Sequence, residues 1–154
     1  GKEHLHRRTD REQVVGYGKR ISAEVTATNK RVQKRIEEKA RDDKIKAEIK
    51  SIGMRGEIEL YPKEKVDVLE FSFDDKHINT ERGHNVPRAD AERFIQEADV
   101  SISRWNGRFI NYYSRDGAVF VDVENKNIRT AFRKEQFDER TTKMREVIER
   151  YENS

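Results

Sequence analysis

Two of the four histidines in this chain lie seven positions apart, in the stretch FDDKHINTERGHN. Imidazole exchanges protons near neutral pH, so His77 and His84 could serve as a general acid and a general base. Asp74, Asp75 and Glu81 stand among them, and the same set could instead bind a metal ion or form a polar loop. The histidine spacing differs from that of helical zinc pairs and fixes no third ligand. We therefore predict no metal site here.

Acid–base chemistry of this kind cleaves RNA without a metal ion. The 2′-hydroxyl is the nucleophile, one group removes its proton, and another protonates the leaving 5′ oxygen. Cations and hydrogen-bond donors must also surround the phosphate as its charge builds up. The chain offers candidates for phosphate binding (Arg129, Arg133), for hydrogen bonding (Tyr112, Tyr113, Ser114, Thr130) and for base stacking (Trp105, Tyr113, Phe120). Each also has a structural reading, as sheet packing, a hairpin cover or a solvated charge.

Composition narrows the class of protein. Of 154 residues, 41% are charged and 33% hydrophobic, and the formal net charge is +3, which permits a nucleic-acid partner without requiring one. The chain has no cysteine, so thiolate chemistry and disulfides are excluded. It contains no nucleophile elbow and no glycine-rich phosphate loop, and no apolar run approaches the roughly 20 residues of a membrane span. We expect no cofactor and no membrane partner. His4 and His6 form a weak His-x-His metal pattern near the N-terminus.

The chain divides near residue 53. Residues 1–52 are charged, and Val25, Val32 and Ile36 recur at helical spacing, so we predict a helical linker or N-terminal extension. Residues 53–154 form the second domain. It opens with two short strands, EIELYP and KVDVLEFSF. A helix follows at VPRADAERFIQEA, because its apolar residues share one face.

Four strands separated by turns follow: DVSISRW, RFINYYS, AVFVDV and IRTAF. Asn106-Gly107 is a strong signal for a two-residue hairpin turn. A last helix begins near Asp138, a plausible N-cap. We predict an α+β fold with N-terminal helices, a four-stranded antiparallel β-meander and a flanking helix. Strict alternation assigns one core face to eight residues: Val100, Ile102, Ile110, Tyr112, Val119, Val121, Ile128 and Phe132.

Alternation creates a conflict among the candidate phosphate ligands. It places Arg129 and Thr130 on opposite faces of one strand, and likewise Tyr113 and Ser114. A β-bulge or a strand end could redirect one side chain of each pair. Otherwise only one member of each pair can act.

The segments DKHIN, RGHNV and AERFI, with WNGRFINYYSRDGAVFVDVENKNIRTAFRKEQFDE, resemble a toxin-like domain at the C-termini of phage minor head proteins and bacterial polymorphic toxins. That domain looks like the Barnase–EndoU–colicin–RelE (BECR) group of small ribonucleases. The resemblance covers residues 70–151. It implies a helix-plus-antiparallel-sheet fold and metal-independent cleavage of RNA, often tRNA. It also implies a cognate immunity protein, and fusion to a larger delivery or capsid protein. The domain would be secreted or phage-delivered and act in the target bacterial cytoplasm.

The resemblance also suggests roles for particular residues. His77 is the first catalytic candidate and His84 the second. The sheet-borne candidates are Arg129, Thr130, Tyr113 and Ser114, and the expected RNA-binding residues are Arg133, Trp105 and Lys76. The alternatives are a non-catalytic phage structural or interaction module, a metal-dependent DNA nuclease, and an ADP-ribosyltransferase whose cofactor site we cannot assemble.

Overall fold

The chain forms two compact units, Gly1–Asp43 and Lys44–Ser154. The computed structural model describes residues 7–153, with side chains from Val25 onward. His4 and His6 lie outside the described residues. Helix α1 runs from Arg7 to Ser51 and enters both units.

In the first unit, the described part of α1 carries an exposed apolar stripe. Val25, Val32 and Ile36 are each about half exposed, and Gln33 donates a hydrogen bond to Glu37 one turn later. The predicted helix is therefore present. The second unit begins at Lys44, and Ile45 and Ile49 are buried in its core.

The second unit is an α+β fold built on a six-stranded mixed sheet. The strands are β1 (Glu57–Leu60), β2 (Ser72–Phe73), β3 (Val100–Arg104), β4 (Phe109–Tyr113), β5 (Gly117–Asp122) and β6 (Asn127–Arg133). Their order is β1-β3-β4-β5-β6-β2, and every neighbouring pair is antiparallel except β2 and β6. The α+β class is confirmed. The sheet has six strands rather than four, because the two short strands predicted at EIELYP and KVDVLEFSF contribute its edge strands β1 and β2.

The helical elements of this unit lie between and after the strands. Helix α2 spans Arg88–Gln96 and helix α3 spans Glu139–Glu152. A π-helical turn covers Lys76–Glu81, and a 3₁₀ turn covers Lys134–Gln136. Asp138 caps α3 as predicted, since its carboxylate accepts a hydrogen bond from the backbone N–H of Thr141.

The sheet is covered on both faces, so the single predicted core face is wrong. Cross-strand pairs share a face, and Val100 pairs with Tyr113 whereas Ser101 pairs with Tyr112. Val100, Ile102 and Phe132 pack with α3 and the end of α1. The other five predicted core residues pack with α2 on the opposite face. A strand that is buried on both sides lacks the alternation of polar and apolar residues that would show which residues face which side of the sheet.

Two local predictions have different outcomes. The Asn106-Gly107 turn is confirmed, because both residues have positive φ and the N–H of Arg108 donates to the carbonyl of Trp105. Only Ser72–Phe73 of the predicted strand KVDVLEFSF is a strand. The guanidinium of Arg88 donates to the carbonyls of Val68 and Phe71. In this loop, hydrogen bonds from a side chain take the place of hydrogen bonds between strands.

Candidate functional site

An open groove of about 790 Å³ lies on the sheet face that also carries α3. Strands β4, β5 and β6 contribute Asn111, Tyr113, Phe120 and Thr130 to its lining. The π-helical turn and the loop after it supply one wall, and the 3₁₀ turn with the first turn of α3 supplies another. The groove thus joins segments that are far apart in sequence.

The π-helical turn places His77 at the groove and pairs it with an acid. Nδ1 of His77 lies 3.2 Å from Oε2 of Glu81, one turn later. Ile78 is fully buried and anchors the turn in the core. A carboxylate that accepts a hydrogen bond from Nδ1 leaves Nε2 as the nitrogen free to exchange a proton.

A clamp holds the loop that joins the two histidines. The side-chain amide of Asn79 donates to the carbonyl of Val86 at 2.9 Å, and its oxygen accepts from the N–H of Val86 at 2.7 Å. The backbone N–H of His84 donates to the carbonyl of Ile78. These bonds explain why a polar, glycine-containing loop can keep both imidazoles at one groove.

His84 occupies a drier environment than His77. Its Nδ1 is buried and has no hydrogen-bond partner among the described residues, and its ring lies 5.8 Å from that of Phe132. Burial lowers the pKa of His84; the charges of Arg82 and His77 lower it further, and a hydrogen bond to Gln136 partly opposes this. His84 is therefore neutral at physiological pH, as a general base must be.

The lowered pKa of His84 predicts a pH-dependent stability. The unfolded chain takes up a proton near pH 6.5, before the folded chain does, so acidification below that pH favours unfolding until the folded-state pKa is passed. We expect His84→Asn to lose less unfolding free energy than the wild type between about pH 8 and about pH 5. Urea denaturation at both pH values measures this difference. Parallel losses in the two proteins would contradict it.

A β-bulge brings Arg129 and Thr130 to the same groove. Phe120 pairs with Thr130, but the next residue, Val121, pairs with Ile128, which leaves Arg129 as the extra residue of β6. Both residues line the groove. The guanidinium of Arg129 lies 4.9 Å from the centre of the Phe109 ring. The conflict between their positions in the sequence is thus resolved by a local irregularity of the strand.

Tyr113 contributes a neutral hydroxyl to the groove. Burial raises the pKa of Tyr113 to about 12, so the phenol keeps its proton at physiological pH. The side-chain amide of Asn111 approaches the phenolic oxygen at 3.4 Å as a donor. The hydroxyl hydrogen of Tyr113 therefore remains available to donate to a ligand.

Two arginines in the groove were missed by the sequence analysis. Arg82 follows the π-helical turn, and Arg140 lies in the first turn of α3. In the described part of the chain, neither of them nor Arg129 forms an ion pair with a carboxylate. Arg82 stands beside His84 in the sequence and could have been noticed there. Arg140 carries no such signal, since tertiary structure alone brings it to the groove.

The two acids that line the groove are engaged with the backbone. Oδ1 of Asp74 accepts from the N–H of His77 at 3.3 Å, and Oδ1 of Asp138 accepts from the N–H of Thr141 at 2.8 Å. These carboxylates hold the turns at either wall. The three unpaired guanidiniums therefore favour an anionic ligand in the groove.

Ser114 is not brought to the groove, contrary to the prediction. It is almost fully buried, and its hydroxyl donates to the carbonyl of Gly117 at 2.9 Å and accepts from the N–H of Gly117 at 3.1 Å. Its hydroxyl closes the turn between β4 and β5. The neighbouring Tyr113 alone of this pair reaches the groove.

The three predicted RNA-binding residues also lie outside the groove lining. Lys76 is exposed at the start of the π-helical turn. Arg133 is held by Asp90 at 2.6 Å and by the carbonyl of Asn85, so it is not a free cation. Trp105 is exposed at the tip of the β3–β4 hairpin.

Among residues 25–153, whose side chains the structure describes, no three of the metal-ligating types come together to hold an ion. The described helices include none that is long and apolar enough to span a bilayer. This chain matches no family model, no curated protein and no solved structure.

Proposed function

We propose that the groove binds an RNA phosphodiester and cleaves it by metal-independent acid–base catalysis. One observation carries the proposal: His77, which pairs with a carboxylate, and His84, whose pKa is lowered by burial, line one groove together with three arginines that form no ion pair in the described part of the chain. His77 has a carboxylate partner, whereas His84 is desolvated and neutral. Two imidazoles with different partners at one groove can divide the acid and base roles.

The chemistry follows from these two environments. Neutral His84 removes the proton of the 2′-hydroxyl, and the 2′ oxygen attacks the adjacent phosphorus. The bond from phosphorus to the 5′ oxygen breaks as His77 delivers a proton to that oxygen through Nε2. The products are a 2′,3′-cyclic phosphate and a free 5′-hydroxyl, so atoms and charges balance without a metal ion or cofactor. The positive charge of protonated His77 also keeps His84 neutral.

The remaining groove residues stabilise the phosphate as its charge increases. Arg129 offers two parallel N–H donors to two phosphate oxygens. Tyr113 and Thr130 add neutral hydroxyl donors, and the desolvated phenol keeps its proton throughout the cycle. Arg82 and Arg140 approach from the two walls and attract the negatively charged strand.

In this proposal the unit Lys44–Ser154 is a BECR-like nuclease domain, with β3–β6 as its meander. It would act on RNA, tRNA among the candidate substrates, in a bacterial cytoplasm after delivery by a larger protein. A cognate immunity protein would cover the groove in the producing cell.

Incubation of the purified chain with total RNA in the presence of EDTA tests the proposal. We expect fragments that end in a 2′,3′-cyclic phosphate and begin with a 5′-hydroxyl. RNA that stays intact would overturn the enzymatic assignment and favour the non-catalytic binding module. Cleavage that EDTA abolishes, with other end groups, would instead indicate a metal-dependent nuclease.

A further inference from the structure

Trp105 is the single tryptophan of the chain, and it occupies an unusual position. Its side chain is 72% exposed at the tip of the β3–β4 hairpin. Its backbone has φ of 53°, a left-handed conformation that bulky side chains rarely adopt. Because the indole is mostly exposed, its burial does not offset the free-energy cost of this backbone conformation. Such an outlier is a reason to ask whether the exposed ring has a function.

Aromatic and cationic groups connect Trp105 with the groove. The Trp105 and Phe109 rings form a T-shaped pair, with their centres 5.3 Å apart. Arg108 and Arg129 lie 4.8 Å and 4.9 Å from the centre of the same Phe109 ring. Since Arg129 also lines the groove, the Phe109 ring contacts both the indole and a guanidinium of the groove.

The two arginines beside Phe109 differ in their partners. Arg108 forms an ion pair with Glu124 at 2.9 Å and lies 3.7 Å from Asp122, so its charge is balanced and it supports the rings. Arg129 has no carboxylate partner in the described part of the chain. Of the two arginines beside Phe109, Arg129 therefore carries the positive charge that no carboxylate in the described part of the chain balances.

The surroundings of Trp105 offer room and polar groups for a nucleobase. A second concavity of about 340 Å³ is lined by Trp105 together with Gly56, Glu57, Ser103, Arg104 and Asn106. Hydroxyl, guanidinium and amide groups can bond to the edge of a base whose face stacks on an indole. Arg129, which lines the groove, and Trp105, which lines the second concavity, thus both contact the Phe109 ring.

We propose that Trp105, supported by Phe109 and Arg108, is a stacking subsite for a nucleotide that flanks the scissile phosphate in single-stranded RNA. The inference rests on the proposed function, because it takes the phosphate at Arg129 as the point from which the strand extends. A base in a duplex has no free face to offer, so the subsite selects unpaired RNA. It adds affinity and length dependence to a groove that binds the phosphate itself.

Intrinsic fluorescence tests this inference directly, because Trp105 is the only tryptophan. The probe is a 2′-O-methyl oligoribonucleotide, which lacks the attacking hydroxyl and so cannot be cleaved by the proposed chemistry. We expect saturable quenching by the single-stranded probe and much weaker binding of its duplex. Trp105→Ala should weaken binding of the single strand by about 10-fold, whereas Trp105→Phe should retain most of it. Fluorescence anisotropy of a labelled probe measures affinity for these tryptophan-free variants.

Leu69→Ala is the matched control, because Leu69 is 78% exposed and does not line the groove. We expect wild-type affinity and quenching from it. Binding without quenching, equal affinity of Trp105→Ala and wild type, or preference for the duplex would each overturn the subsite. Cleavage of total RNA is scored separately. Quenching without cleavage would leave the subsite standing and remove the nuclease, and cleavage with an unaffected Trp105→Ala would do the reverse.

Discussion

His77→Ala should lower the rate of RNA cleavage by about 10²–10⁴-fold, the range expected for loss of a general acid or base. The cleavage rate falls because alanine cannot deliver a proton to the leaving 5′ oxygen. The thermal stability should change little, since the side chain is 35% exposed and its pair with Glu81 is a surface pair. Such pairs contribute at most about 1 kcal/mol to the free energy of unfolding. Single-turnover cleavage of a defined RNA, with calorimetry of the same preparation, measures both quantities.

Glu81→Gln is the informative companion to His77→Ala. It can keep a hydrogen bond to Nδ1 through the amide oxygen but removes the negative charge 3.2 Å away. We expect a smaller loss of rate than for His77→Ala, because the imidazole and its hydrogen-bond partner at Nδ1 both remain. If His77→Ala cleaves RNA at the wild-type rate, His77 is not catalytic. A collapse of stability with activity retained would assign the residue a structural role.

Local sequence patterns predicted the elements that depend on local chemistry. The Asn106-Gly107 turn, the Asp138 cap and the α2 face at Ala91, Phe94 and Ile95 follow from conformational preference and helical spacing, and all are present. The pairing of His77 with a carboxylate is local too, because Glu81 lies one turn later. What the pattern could not give was the π-helical turn itself, which depends on burial of Ile78 and on the Asn79–Val86 clamp.

Features that depend on tertiary structure could not be predicted. Arg140 reaches the groove only because α3 packs on the same sheet face as Tyr113 and Phe132. The two-sided burial of the sheet removed the alternation that would have assigned each strand its faces. Alternation predicted that Arg129 and Thr130 could act together only through a bulge or a strand end, and the bulge itself is visible only in the strand register. Ser114 was predicted to bind the phosphate because its hydrogen bonds to Gly117, which occupy its hydroxyl, could not be inferred from the sequence.

Arg129→Ala should reduce the cleavage rate by about 10²–10³-fold, as loss of a preorganised donor to a developing oxyanion does elsewhere. We expect kcat to fall more than KM rises, because negative charge on the phosphate oxygens grows toward the transition state. Arg129→Lys should restore only part of the rate, since an ammonium is a point charge and cannot form two parallel hydrogen bonds. Steady-state kinetics on a defined RNA, at one fixed salt concentration, provide these parameters.

Arg93→Ala controls for the loss of a positive charge from the surface. Arg93 is also exposed and also lies over a phenylalanine ring, but it pairs with Glu97 and Asp116 and does not line the groove. We expect its kinetics to match the wild type. If Arg129→Ala and Arg93→Ala behave alike, the effect is one of net charge and the bulged residue has no special role. If only Arg129→Ala is impaired and lysine fails to rescue it fully, the two parallel donors at the bulge are what the reaction requires.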